Sequence, residues 1–329
     1  MKKIYKWGII GPGNIAHKFA QDLQHIANAQ LLGVASRSTD RARDFAKQYG
    51  ATKYYSNYEH LCEDPDIDIV YIATPHAMHH ENTLSCLARG KAVLCEKPLA
   101  MNLRQVEEMV EMASKKNVFL MEAIWTRFLP GIIKLQEVLE SGRIGDVLSI
   151  KADFGYNWPF DPKSRVYNPD LGGGSLLDIG IYPLFLSLFL LGQPWEIKSK
   201  AKLASTQVDA DCEMELIYLN KNQRAHLFSS VIKETKLEAV IEGSNGNIKI
   251  PGPWFKPESL IINAKNEPEE ILKFEYTDNG YSYEAIEAMN CLDQNKQESE
   301  LLPWSFSLTL MKMMDEIRNQ CQIRYPKYD

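Results

Sequence analysis

The run Gly11-Pro12-Gly13-Asn14-Ile15-Ala16 leaves few folds open to this chain. It follows an apolar stretch, Ile4–Ile10, and opens a segment with helical apolar spacing, Ile15–His25. In such a strand–loop–helix the first glycine permits the tight turn, and the second lets a pyrophosphate approach the backbone. A small third residue, here Ala16, lets the helix pack closely on the sheet, and the helix N-terminus offers N–H groups to an anion. A lone GxGxxG spacing often marks an ordinary turn. With a strand before it and a helix after it, the run predicts a dinucleotide site with Gly11, Gly13, Asn14 and Ile15 as contacts.

The next hundred residues repeat that grammar. Gln30–Ala35, Ile69–Ala73, Ala92–Cys95 and Val118–Met121 are apolar runs mostly without polar alternation, as strands covered on both faces require. Helical patterns lie between them at Asp40–Tyr49, Glu81–Arg89 and Leu103–Lys115. The last has Asn102 as a candidate N-cap with Gln105 three residues on. After about residue 123 the pattern changes. Val208, Ala210, Cys212, Met214 and Leu216 alternate with Asp209, Asp211, Glu213 and Glu215, which predicts a strand with one buried and one wet face. Strands are also expected at Leu148–Phe154, Arg224–Val231, Leu237–Glu242 and Asn247–Ile250, with a turn at Ser244-Asn245-Gly246. The expectation is an α/β chain in two domains. A doubly wound parallel Rossmann sheet spans 1–123, and an α+β domain with a large open, mostly antiparallel sheet spans 124–329.

Charge and cysteines bound the partners. The 37 Lys+Arg and 43 Asp+Glu give a formal charge of −6, which argues against a nucleic-acid or anionic-membrane partner. Six scattered cysteines without a CxxC pair suit reduced thiols in the cytoplasm. The N-terminus reads as a first strand rather than a signal peptide. The most apolar stretch, Ile181–Leu191, spans about three helical turns, which suits a buried core helix.

An NAD enzyme usually places Asp or Glu at the end of its second strand, about twenty residues past the glycine loop. Here Ser36-Arg37-Ser38 stands there, with Arg41 and Arg43 following. A guanidinium clasps a 2′-phosphate by charge and paired hydrogen bonds, so Ser36, Arg37 and Arg41 predict NADP, with NAD possible.

Further on come Ala73-Thr74-Pro75-His76-Ala77-Met78-His79, Glu96-Lys97-Pro98, the stretch Glu122–Phe128, and the run from Gly172 to Tyr182. This set, in this order, resembles the glucose–fructose oxidoreductase/inositol dehydrogenase (Gfo/Idh/MocA) family, whose hallmarks include the TPxxxH turn and the EKP tripeptide. EAxWTRFxP together with GGGxLLDIGIY is most similar to the branch holding the dimeric dihydrodiol dehydrogenases and NADP-dependent D-xylose dehydrogenases. The resemblance implies an NAD(P)-dependent oxidoreductase of a cyclic sugar, polyol or dihydrodiol, and a homodimer through the C-terminal sheet. It also implies a nicotinamide near Pro75, Lys97 and the Asp178–Tyr182 helix, with Thr74, His79, Glu96 and Trp125 as further cofactor contacts, and a cis peptide before Pro98. Reduction of a keto- or anhydro-sugar by the same chemistry, or a non-catalytic cofactor-binding sensor, are the alternatives. The presence of Lys97, Asp178 and Tyr182 weighs against the sensor.

For the proton chemistry, Asp178 and Tyr182 are spaced i,i+4 and share one face if the segment is helical, though Pro183 cuts against a regular helix there. A tyrosine with a pKa of ~10 is a poor base until a nearby cation such as Lys97 favours its phenolate. On this reading Tyr182 is the acid/base, Lys97 its activator, and Asp178 holds Lys97 or the substrate. Lys97 as the base is the open alternative. Arg127 is expected to reach a substrate oxygen, and Trp158 and Phe160 to form a substrate wall, with Arg165 and Tyr167 nearby. The spacing His76, His79, His80, Glu81 does not match HExxH, so no metal is expected.

Overall fold

The unalternating apolar runs form a parallel sheet. In a computed structural model describing residues 3–219 and 222–329, the chain divides into two units, Met1–Phe128 with Tyr276–Leu308 and Leu129–Glu275 with Thr309–Asp329. The first unit holds β1 (Tyr5–Ile10), β2 (Ala29–Ala35), β3 (Lys53–Tyr55), β4 (Ile69–Ile72), β5 (Ala92–Glu96) and β6 (Leu120–Ala123) in the order β3-β2-β1-β4-β5-β6. All pairs are parallel. This is the doubly wound order whose reversal point between β1 and β4 opens a crevice for ligands. Helices α1 (Asn14–Leu23), α2 (Thr39–Tyr49), α3 (Tyr58–Glu63), α4 (His79–Ala88) and α5 (Leu103–Lys116) connect the strands. Asn102 caps α5 by accepting from the Gln105 N–H at 3.0 Å, and the Gln105 side chain accepts from the Met101 N–H at 3.1 Å. The sequence reading lacks β3 and α3. Three residues at a sheet edge and six in a helix carry too little periodicity to be seen.

The second unit is built on eight strands: β7 (Val147–Gly155), β8 (Glu196–Leu203), β9 (Asp209–Ile217), β10 (Arg224–Ser230), β11 (Ala239–Gly243), β12 (Gly246–Ile250), β13 (Ser259–Ala264) and β14 (Glu270–Lys273). Their order is β14-β13-β12-β11-β7-β10-β9-β8, and of these pairs β7–β10 is parallel and the rest antiparallel. The expected alternation in β9 holds from Cys212 onward, but Asp209 and Asp211 are buried rather than wet. Two helices, α6 (Pro130–Glu140) and α7 (Ile181–Leu191), complete the unit's main elements so far. A π-helical turn, Leu176–Gly180, leads directly into α7. Together with the preceding residues it extends the apolar run to Pro169–Leu191, long and apolar enough by length and composition to cross a membrane. Its apolar window is 83% buried inside the protein, as in a core helix.

The sequence reading cuts the chain once, near residue 123, whereas residues 276–308 pack with the first unit. Asp22 accepts from the N–H groups of Asn279 (3.1 Å) and Tyr281 (2.8 Å) just before α8 (Ser282–Asp293). Tyr5 donates to Asp293 at 2.6 Å, Leu120 N–H bonds to the Gln297 carbonyl at 2.9 Å, and Trp304 Nε1 donates to the Leu120 carbonyl at 2.9 Å. Trp304 opens α9 (Trp304–Cys321), along which the chain passes back to the second unit. Nothing in the local composition of 276–308 names these distant partners.

Candidate active site

The phosphate end is set by backbone. Gly11 sits at φ +88°, and a Cβ there would lie 2.9 Å from Thr74 Cγ2 and 3.0 Å from the Ala73 backbone, so only glycine fits. At Gly13 nothing lies within 4 Å of the Cβ position, which leaves the space over the loop open to a ligand. Gly13 is the N-cap of α1 and supplies no side-chain cap, and the first turn carries no acidic residue. An uncapped helix start under open space suits a diphosphate. At the end of β2, Ser36 is buried and accepts from the Ser38 N–H at 3.2 Å. Arg37 is exposed. Arg41 folds back so that Nη2 donates to the Pro12 carbonyl at 3.0 Å, bringing its charge to the glycine loop. Arg43 instead pairs along its helix with Asp40 and Asp44.

Lys97 follows β5 on a turn with a cis Lys97–Pro98 peptide. The residues on both sides of it are held by other elements. Glu96, buried, accepts from the Tyr71 hydroxyl. The fully buried His79 ring lies 2.8 Å (Nδ1) from the Pro98 carbonyl and 2.9 Å (Nε2) from the Thr74 carbonyl. It thereby joins the TPxxxH and EKP turns, although a neutral ring has a proton for one of these carbonyls only. Thr74 also accepts from Asn82 Nδ2 at 3.2 Å. Leu99 N–H donates to Glu122 Oε1 at 2.8 Å, and Ser307 Oγ donates to Oε2 at 2.6 Å. Burial pushes the Glu122 carboxyl up to about 7, against those two hydrogen bonds. Trp125 is stacked on Tyr281 with centroids 4.9 Å apart. Arg127 is buried and its Nε donates to the Leu301 carbonyl at 2.9 Å, so part of the guanidinium expected at a substrate oxygen is spent on backbone. His80 pairs with Glu108 at 2.8 Å.

In the second unit Asp178 lies in the π turn and Tyr182 in the first turn of α7, both buried. The widened turn accommodates Pro183, which has no N–H to return to Ile179. Both Asp178 oxygens accept from one guanidinium, Arg165 Nη1 to Oδ1 and Nη2 to Oδ2, each at 2.9 Å. That partner is not one the i,i+4 argument could name. The Tyr182 ring lies 5.2 Å from Phe154 and 5.7 Å from Phe255, which are themselves stacked at 4.2 Å. Tyr156 stands edge-on to Phe154 and Trp158, and Phe160, 54% exposed, stands edge-on to Tyr167. The Tyr167 hydroxyl reaches the carbonyls of Trp158 (3.0 Å) and Val231 (3.1 Å). Beneath the π turn, Asp209 Oδ2 accepts from Ser175 Oγ and Leu176 N–H, both at 2.6 Å, and burial pushes its carboxyl up to about 6.

Two family models cover most of the chain: "Oxidoreductase family, NAD-binding Rossmann fold" matches residues 5–124, and "GFO/IDH/MocA C-terminal domain" matches residues 132–249. The chain belongs to the Gfo/Idh/MocA oxidoreductases. Among relatives of this family, the trans-1,2-dihydrobenzene-1,2-diol dehydrogenase of Xenopus tropicalis is 37% identical over 98% of this chain and 99% of its own length. The Homo sapiens enzyme of the same name is 35% identical over 98% of both. Of solved Gfo/Idh/MocA-like structures, the 3-ketoreductase KijD10 from Actinomadura kijaniata, in complex with NADP and TDP-benzene, superposes with a TM-score of 0.87. It shares 25% identity over 96% of this chain and 98% of that one. As a Gfo/Idh/MocA member with an NAD-binding Rossmann domain, the chain is an NAD(P)-dependent oxidoreductase.

Sequence reasoning singled out neither Glu122 nor Asp209 as functional, nor Phe255. Glu122 lies inside the EAxWTRFxP motif without a role, and the Asp209 signal is only that it is the first acidic position of the β9 alternation.

Proposed function

We propose that this chain is an NADP-dependent dehydrogenase oxidising a secondary alcohol of a cyclic sugar, polyol or trans-dihydrodiol. The observation carrying this reading is the aromatic cluster of Phe154, Phe255, Tyr156 and Trp158 beside Tyr182. A phenol set in an apolar wall suits a ring that presents one flat face and one reacting hydroxyl. Similarity to dihydrodiol dehydrogenases along nearly the whole chain supports it.

Bound NADP⁺ would supply the hydride acceptor; the chain's residues supply binding, position and proton traffic. Gly11, Gly13, Asn14 and Ile15 at the start of α1 receive the diphosphate, and Ser36, Arg37 and Arg41 receive the 2′-phosphate. Thr74, Pro75, His79, Glu96 and Trp125 shape the nicotinamide end, chiefly by fixing the turn that presents Lys97. On this reading Tyr182 is assigned the hydroxyl proton and Lys97 the orientation of the hydroxyl. Asp178 keeps the Tyr182 turn in place. Trp158 and Phe160 line the substrate, while we assign Arg127 to packing because of its Leu301 bond. A cytoplasmic homodimer through the open face of the eight-stranded sheet fits the same reading. Lys198 and Lys200 face Glu215 and Glu213 across β8 and β9, a pattern a second copy can complement.

The test is a panel of pentoses, hexoses, inositols and dihydrodiols, followed by NADPH absorbance with NAD as comparison. Turnover of at least one cyclic alcohol with NADP is expected. Cofactor binding without turnover on any of them would shift the reading to a sensor, and equal use of NAD would overturn the arginine argument.

A further inference from the structure

We propose that Arg165 is a positioning residue for the second unit's half of the chemistry. It closes the segment 161–174 onto the π turn and fixes the place and direction of Asp178, and so of the turn that presents Tyr182. The proposal rests on the dehydrogenase reading for its kinetic arm and is independent of it for its structural arm.

The pair is a two-pronged one, Nη1 on Oδ1 and Nη2 on Oδ2, each at 2.9 Å, a geometry that sets direction as well as distance. Its burial is one-sided: the Asp178 side chain is 6% exposed and that of Arg165 45%. The carboxylate is thus held in the protein by a cation that comes in from the surface. With one guanidinium nitrogen on each oxygen, the direction of the Asp178 carboxylate is set by Arg165.

The glycine run explains how Arg165 is delivered. A Cβ on Gly173 would lie 2.8 Å from the Val166 carbonyl oxygen and 2.9 Å from both the Arg165 carbonyl oxygen and Asn168 N. The backbone carrying Arg165 therefore crosses directly over Gly173 and leaves no room for a side chain. Gly174 N–H donates to the Val166 carbonyl at 2.8 Å, and Gly173 N–H to the Asn168 carbonyl at 3.0 Å. Gly174 itself sits at φ +115°, with Asp209 Oδ1 2.3 Å from its Cβ position. From the other side Tyr325 donates to the Gly173 carbonyl at 2.5 Å. The run Gly172–Gly174 is the seat on which the Arg165 segment closes, and Asp209 holds the start of the π turn that follows.

Four variants test this: Arg165→Met, Arg165→Lys, Asp178→Asn, and Arg165→Met with Asp178→Asn. In the kinetic arm, Arg165→Met should lower kcat for the alcohol by about 10²-fold, the cost of a misplaced group. The KM for NADP should stay within about twofold, Arg165→Lys should recover part of the loss, and added guanidinium ion should partly rescue Arg165→Met. The double variant should be no worse than Asp178→Asn alone. In the structural arm, hydrogen exchange at residues 161–174 should quicken alike in Arg165→Met and Asp178→Asn, with the β1–β6 amides unchanged. Unchanged exchange in Arg165→Met, or a double variant whose losses multiply, overturns the proposal. If wild-type protein oxidises no alcohol, the dehydrogenase reading fails and the exchange arm alone decides this one.

Discussion

Glu122 reaches from the end of β6 to accept the Leu99 N–H at 2.8 Å, two residues past Lys97. With His79 on Pro98 and Tyr71 on Glu96, it makes the Lys97 turn a braced element rather than a surface loop. A group that must orient a substrate hydroxyl gains from neighbours that cannot shift.

The brace has a pH signature. Burial raises the folded-state Glu122 carboxyl from 4.5 to about 7, so between those values the folded state binds the proton that the unfolded state has released. Stability from this group therefore falls as pH rises through that window, by on the order of 3 kcal/mol at most. Asp209, raised from 3.8 to about 6, adds the same sign over a lower window. Glu122→Gln keeps an acceptor for Leu99 and removes the titration. Its melting temperature relative to wild type should climb between pH 5 and pH 8, and an equal difference at both would contradict the assignment.

Arg37→Ala and Arg41→Ala should each raise the KM for NADP about tenfold or more, since hydrogen bonds to a charged group contribute roughly 1.5–3 kcal/mol. The KM for NAD should move less than twofold. Steady-state kinetics with both cofactors decides it, and an equal loss for both would return Arg41 to the role its Pro12 bond alone describes.

Much of the first unit was legible because buried parallel strands leave unbroken apolar runs and because Gly11 and Asn102 act on near neighbours. The expected cap on α5 is present as a 3.0 Å bond. Motifs mark Lys97, Asp178 and Tyr182 as candidates, whereas partners far apart in sequence leave no local sign. Ser307 stands 185 residues from Glu122, and no local pattern links them. Asp209 was misread because period two reports which side of a strand faces out, not whether another element covers that side.

Tyr182→Phe and Lys97→Met should each lower kcat by about 10²–10⁴-fold while NADPH binding, read by fluorescence, persists. Near-normal turnover in Tyr182→Phe with an inactive Lys97→Met would move the acid/base role to the lysine.

Two glycines separate function from folding. Gly13→Ala, with open space at its Cβ position, should fold normally and bind NADP more weakly. Gly173→Ala, with three backbone atoms within 2.9 Å, should melt several degrees lower. Matching melting temperatures for the two variants would contradict the packing described here.

The proposed reaction is hydride transfer from a carbon bearing a hydroxyl to the nicotinamide of NADP⁺. The direct measurement uses a turned-over cyclic alcohol carrying deuterium on the reacting carbon, with mass spectrometry of the reduced cofactor. Reduced cofactor one mass unit heavier is expected, with slower turnover of the deuterated alcohol. Reduced cofactor of unchanged mass, or an oxidised product formed without cofactor reduction, would contradict it.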